Sequence, residues 1–303
     1  MKTEPLLPDS RKEDPLLSTA SKTILLWTLL IVMFVSIYQL VTAPTPGRHP
    51  LPTTDTDPFA SLWTWGLMGV VFVVIAGWLF SNQRRLARAV VMNGEGLELL
   101  GRGELEKAQA LFETMLQRFS RLNAVKGLAQ HNLAWVFLTD GQLERATAQL
   151  TALEKGDGLS RMPSLKPSAA SMLALCHALA GNFELATPWL AEADKLKPAA
   201  AEPLKLTGSL TIVRAILFCR QGQPAEATRM LDRDWQTLEA LGGEQLRPLR
   251  LLRAFALSAT GGPRDDGAVD RALAPLRESR PGSLRYLTVA WPELAAFMDL
   301  HHV

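Results

Sequence analysis

The sequence predicts an all-α protein, a two-helix transmembrane hairpin followed by an α-solenoid of four to five helical hairpins and a C-terminal capping helix. Three observations predict it. Two uncharged apolar stretches, 23–41 and 60–80, are each long enough to cross the hydrocarbon core, which needs about 20 residues. Beyond them, apolar residues recur at helical period and are interrupted by a glycine at near-regular intervals. The composition agrees, because 48% hydrophobic residues with a positive mean hydropathy is high for a chain held wholly in water.

Residues 1–22 are polar, with Pro5, Pro8 and Pro15 and balanced charges, which is the composition of a disordered tail. Glu4-Pro5-Leu6-Leu7 recurs as Asp14-Pro15-Leu16-Leu17, either a docking motif presented twice or a chance repeat. The run 23–41 exceeds the apolar core of a removable signal peptide and is followed by a second span, so both read as membrane helices. Trp63 and Trp65 near one end of the second span, with Trp78 and Phe80 near the other, fit aromatic belts at the two interfaces. The loop 42–59 carries Arg48 alone. Lys2, Arg11, Lys12 and Lys22 precede the first span, and Arg84, Arg85 and Arg88 follow the second. The positive-inside rule then puts both termini in the cytoplasm, with the loop outside. The three arginines are placed to reach anionic lipid headgroups at the membrane surface. Neither span holds an acidic, basic or histidine residue, which argues against proton relay or ion conduction.

The repeat domain, 81–283, follows with no linker. Its unit is clearest around Leu133, Ala134, Phe137 and Leu138, which lead to Asp140-Gly141 before the pattern restarts with Leu143, Ala146, Leu150 and Leu153. Counted from the glycine, a small residue lies seven before, a mostly apolar one four before, alanine five after and a large apolar one nine after. The copies are Gly96, Leu99, Gly103, Ala108, Phe112; Ala134, Phe137, Gly141, Ala146, Leu150; Ala174, His177, Gly181, Ala186, Leu190; and Ala215, Phe218, Gly222, Ala227, Leu231. Their spacing of roughly 38 to 41 residues is slightly longer than the about 34 of the commonest helix-turn-helix repeat. Small residues let the two helices approach, and a single hairpin cannot bury its apolar face, so several must stack. A degenerate fifth copy starts near Leu246 and passes Ala254 and Phe255 to Gly261-Gly262. A short helix then runs from Ala268 to Ala274, ended or kinked at Pro275. Residues 154–167 and 198–208 read as loosened joints. The stretch 284–303, with Pro292 interrupting it, reads as the capping helix.

Phrases such as Ala180-Gly181-Asn182-Phe183-Glu184-Leu185-Ala186 and Gln221-Gly222-Gln223-Pro224-Ala225-Glu226-Ala227 resemble the tetratricopeptide repeat family, as does the proline ending the third copy, Pro198. The resemblance implies a protein-binding solenoid whose first helices line a groove. On that frame the groove row is Leu97, Trp135, Leu175, Ile216 and Phe255, with Asn93, His131 and Arg220 nearby. The family's asparagine and lysine set for clamping a peptide carboxylate is not matched. The row is apolar, so it suits an amphipathic helix or apolar peptide anchored by Trp135. The competing reading packs these side chains between neighbouring first helices or under the C-terminal helix.

Other chemistry has little support. There is no Gly-rich phosphate loop, no His-Glu-x-x-His and no Cys-x-x-Cys, so no enzyme, cofactor, metal or small-molecule substrate is expected. A net charge of +2 without a basic stripe argues against nucleic acid. Cys176 and Cys219 read as buried small hydrophobes. The expected function is a membrane-anchored scaffold that docks a cytoplasmic protein partner. The alternative is a structural subunit of an integral-membrane complex, whose hairpin anchor makes the main contacts. An Arg-rich, Ala-rich and Tyr-poor composition leans towards a bacterial plasma membrane.

Overall fold

The computed structural model describes Thr28 and residues 58–156, 158–197, 202–260, 266–277 and 284–303, with the side chains of 58–68, 243–245 and 266 left aside. The tail, most of the first expected span and most of the loop therefore lie outside the described residues. Every regular element among those described is helical. The chain divides into two compact units, residues 1–72 and 73–303, and the packing below is that of the second.

Helix α1 covers Pro58–Gly101 and contains the second expected span. Its side chains from Val70 to Ile75, with Trp78 and Phe80, are exposed. Among the described residues no helix is long and apolar enough to cross a membrane. The portion of the expected span with described side chains, 69–80, falls short of the about 20 residues a crossing needs.

Among the described residues ten further helices of ten residues or more follow: α2 Leu105–Arg118, α3 Asn123–Thr139, α4 Leu143–Lys155, α5 Lys166–Leu179, α6 Phe183–Leu196, α7 Pro203–Arg220, α8 Pro224–Glu239, α9 Gly243–Ala259, α10 Asp266–Arg277 and α11 Pro292–His301. They pair as antiparallel hairpins, α3 with α4, α5 with α6, α7 with α8 and α9 with α10, while the end of α1 packs on α2 through Gly96 and Phe112. First helices stack on first helices, α3 on α5, α5 on α7 and α7 on α9, which makes an α-solenoid.

Each hairpin turn is built the same way. Gly103, Gly141, Gly181 and Gly222 all sit at positive φ, a conformation costly for any residue with a Cβ. The amide after each glycine donates to the carbonyl five residues earlier in the chain: Glu104 to Leu99, Gln142 to Phe137, Asn182 to His177 and Gln223 to Phe218, at 2.8–2.9 Å. The glycine amide itself donates to the carbonyl three residues before it, completing a double closure of the helix end. Because the closing bond uses only backbone, His177 substitutes for the usual apolar residue without disturbing the turn. Each second helix then opens with an acid in its first turn, Glu106, Glu144, Glu184 and Glu226, favourable at the positive end of the helix dipole.

Both small positions of the frame are used for close packing. Ala108, Ala134, Ala146, Ala174, Ala186, Ala215 and Ala227 are completely buried, as are Phe112, Leu150 and Leu231. At Gly96 an added Cβ would lie 2.5 Å from Phe112 Cζ, so only glycine admits that ring.

The joints differ from expectation. Between α4 and α5 the chain forms a one-turn helix, Gly158–Arg161, and a 3-10 turn, Pro163–Leu165. The first packs on α3 closely enough that a Cβ on Gly127 would stand 3.0 Å from Gly158 Cα. Leu159 is buried there, which gives this joint a core of its own. The joint expected over 198–208 is shorter, because Pro203 opens α7 from its first turn and Leu206 and Leu210 are buried. Pro275 does not end α10, which continues to Arg277 with Leu273 and Leu276 buried on either side of the proline. Pro292 opens α11 instead of interrupting a longer helix. Before it stand a 3-10 turn, Arg285–Leu287, and Trp291 at the N-cap position.

Candidate functional site

The first helices α1, α3, α5, α7 and α9 carry the expected groove row. Leu97 and Trp135 are exposed, at 46% and 38%. Leu175 and Ile216, expected on the groove surface, are buried, and Phe255 is half-buried. The structure thus separates the row into an open end, on α1 and α3, and a covered remainder.

The open end is held in register by a polar ladder. Asn132 Nδ2 on α3 donates to Asn93 Oδ1 on α1 at 2.6 Å. His131 pairs through Nδ1 with Asn132 Oδ1 at 3.2 Å and through Nε2 with Ser168 Oγ on α5 at 2.9 Å. Three successive first helices are therefore cross-linked by neutral side chains. Burial pulls the His131 pKa below its ordinary value, with the bond to Asn132 opposing, so the ring favours its neutral form. Leu97 follows Asn93 by four residues and Trp135 follows Asn132 by three, which puts the two apolar side chains one turn further along adjacent helices. Asn93 and His131 act here as struts of the ladder, beneath the exposed pair.

At the covered end, Arg220 ties two hairpins to the C-terminal segment. Its Nη1 donates to the carbonyls of Ala178, at 3.1 Å, and Leu179, at the C-terminal end of α5. A cation is favourable at that pole of the helix dipole. The guanidinium stands 5.7 Å from the Phe183 ring centroid and 5.8 Å from that of Trp291. Burial lowers its pKa and the Glu293 carboxylate opposes the shift. Phe255 meets Trp291 edge-on at 5.1 Å and Phe297 at 5.4 Å. The 3-10 turn packs on α3, and Val289 presses on the turn at Gly141. Of the two readings open for the row, packing under the C-terminal segment holds at Phe255, where Trp291 and Phe297 make the contact. Their apolar spacing was visible, but nothing in it says which surface it covers.

Arg84, Arg85 and Arg88 are exposed on α1, and Arg84 lies over the Phe80 ring at 4.2 Å. Cys176 and Cys219 are free thiols that burial pushes up to about 12, which keeps them protonated. Among the described residues no group of three or more His, Cys, Asp or Glu is placed to hold a metal ion. The exposed members of the row, Leu97 and Trp135, are apolar and aromatic. Comparison with family models, with curated proteins and with solved structures finds no match to this chain.

Proposed function

We propose that this protein is a membrane-anchored docking scaffold whose repeat domain holds a cytoplasmic protein partner at the bilayer. The observation that carries the reading is the exposure of Leu97 and Trp135 on two first helices that Asn93 and Asn132 tie together. A large aromatic with an aliphatic neighbour, fixed by a polar ladder beneath, is the composition of a binding hot spot. The identical glycine turns and paired small residues support classing the hairpins as tetratricopeptide-like, and an apolar or amphipathic helix is the ligand such a row takes.

The anchor is part of the proposal. From Val70 to Ile75 α1 exposes apolar side chains on consecutive positions, hence all round the helix. A helix apolar all round suits lipid or a protein interior. Arg84, Arg85 and Arg88 follow within about four turns and are placed to meet anionic headgroups, each worth about 1 kcal/mol. With the span 23–41, this gives a hairpin anchor in a plasma membrane of bacterial type, both termini cytoplasmic. Nucleic acid and small-molecule substrates have no part in the reading.

Partners recovered with the full-length chain from native membranes test it. Trp135→Ala should weaken capture about tenfold or more while leaving the helical circular dichroism unchanged. Full capture by a folded Trp135→Ala chain overturns the docking surface. The exposed apolar turns of α1 also favour a second reading, a structural subunit that contacts membrane proteins through its anchor. In that case a fragment 82–303 recovers none of the partners, and those of the full-length chain are integral membrane proteins.

A further inference from the structure

A segment that only caps a solenoid touches its last repeat, because repeats contact their neighbours alone. Residues 284–303 do more. Their 3-10 turn packs on α3 and Val289 on Gly141, in the second hairpin; Trp291 lies against Arg220, from the fourth; Trp291 and Phe297 meet Phe255, from the fifth. Of the helices so touched, α3, α7 and α9 are first helices, and α10, whose Arg277 Nε donates to the His301 carbonyl at 3.2 Å, is a second helix. The segment therefore reaches from the fifth hairpin back to the second, meeting the docking row at Phe255 and, at its Val289 end, the hairpin that carries Trp135.

The contact has the form of a bound amphipathic helix. Trp291, Leu294 and Phe297 are buried at successive spacings of three, the first at the N-cap and the other two within α11, with His301 tilted against Phe297 at 4.5 Å between ring centroids. Asp299 is exposed on the outer side, and the Glu293 carboxylate acts on the Arg220 guanidinium. An aromatic anchor, a leucine and a second aromatic at spacings of three is a ligand pattern complete in itself.

We propose that residues 284–303 are a resident ligand of the first-helix face, holding the seat that a partner's amphipathic helix with the same spacing takes when it binds. The inference rests on the docking reading and adds its regulation: the segment competes in cis, at the high effective concentration of a tethered group, so an incoming helix must displace it. The partner helix it fits carries Trp or Phe at the first position, Leu three later and Phe six later. Leu97 and Trp135 lie beyond the covered part and give such a helix its first foothold.

The test uses the full-length chain in detergent and a fluorescent peptide of residues 284–303. The wild-type chain should bind the added peptide weakly. A Trp291→Ala, Phe297→Ala chain, its resident segment loosened, should bind it about tenfold or more tightly, and a peptide with the same two substitutions should lose that gain. If the double variant is partly unfolded, added wild-type peptide should restore its thermal transition. A folded double variant that binds no better than wild type overturns the inference, as does an unfolded one that the peptide fails to restore. The docking reading fails separately: it falls if Trp135→Ala leaves partner capture intact, whatever the peptide does.

Discussion

At the residue scale the turn glycines carry the most exact demands. Gly141 and Gly222 have nearly the same φ, 80° and 74°, but different surroundings. A Cβ on Gly222 meets nothing within 4 Å, whereas one on Gly141 collides with Val289. Gly222→Ala should therefore cost only the left-handed backbone strain, roughly 1–2 kcal/mol. Gly141→Ala should cost more, because it also pushes against the C-terminal segment. Chemical denaturation of the two variants checks the order. Equal losses would mean that Val289 yields freely. The sequence places both glycines in one frame and cannot distinguish them, since the difference comes from a residue almost 150 positions away in the chain.

At the scale of elements, the ladder from Asn93 through Asn132 and His131 to Ser168 links three helices that the repeat pattern treats as independent units. It also makes their packing sensitive to pH. The folded His131 pKa is depressed below its ordinary 6.5, so the unfolded chain binds the proton more readily. The contribution is fully present above the unfolded pKa and is lost as pH falls through it towards the lower folded value. His177 is shifted in the same direction by burial. The melting temperature should fall between about pH 7 and pH 5, and His131→Gln should remove part of that slope, leaving the share of His177. A slope unchanged by His131→Gln would show that the ring takes up its proton equally in both states and so is solvated in the fold. The apolar frame was legible because it repeats. The ladder was not, because Asn93, Asn132 and Ser168 occupy no common position in it.

At the scale of the whole molecule, two features set what the protein can do: an apolar helix that opens the repeat unit, and a chain end that returns along the unit's inner row. For the first, the full-length protein should stay with the membrane pellet after alkaline carbonate extraction, and replacing Val71, Val74 and Trp78 by Asp should release it. Retention of the triple variant in the pellet would show that 23–41 anchors by itself. For the second, the segment 284–303 buries Leu287 and Leu294 completely and Trp291 almost so, within reach of the second, fourth and fifth hairpins. Within the row, its seat covers Phe255, which lies against Trp291 and Phe297 from the chain end.

By itself the sequence determined the all-helical class, the hairpin frame and the positions of the turns. Each of these depends on local rules: apolar period, a glycine where the backbone turns left-handed, and small residues where two helices meet. It also set the apolar character of the groove row. Only the tertiary structure decided which of those side chains face solvent. Leu175 and Ile216 are as apolar as Leu97, and their burial depends on what packs over and beside them, which periodicity does not encode. The same holds for the chain end. Its spacing announces one buried face, but the choice between capping the last hairpin and lying along three of them is made by long-range contacts, Phe255 with Trp291 and Val289 with Gly141, that no local pattern specifies.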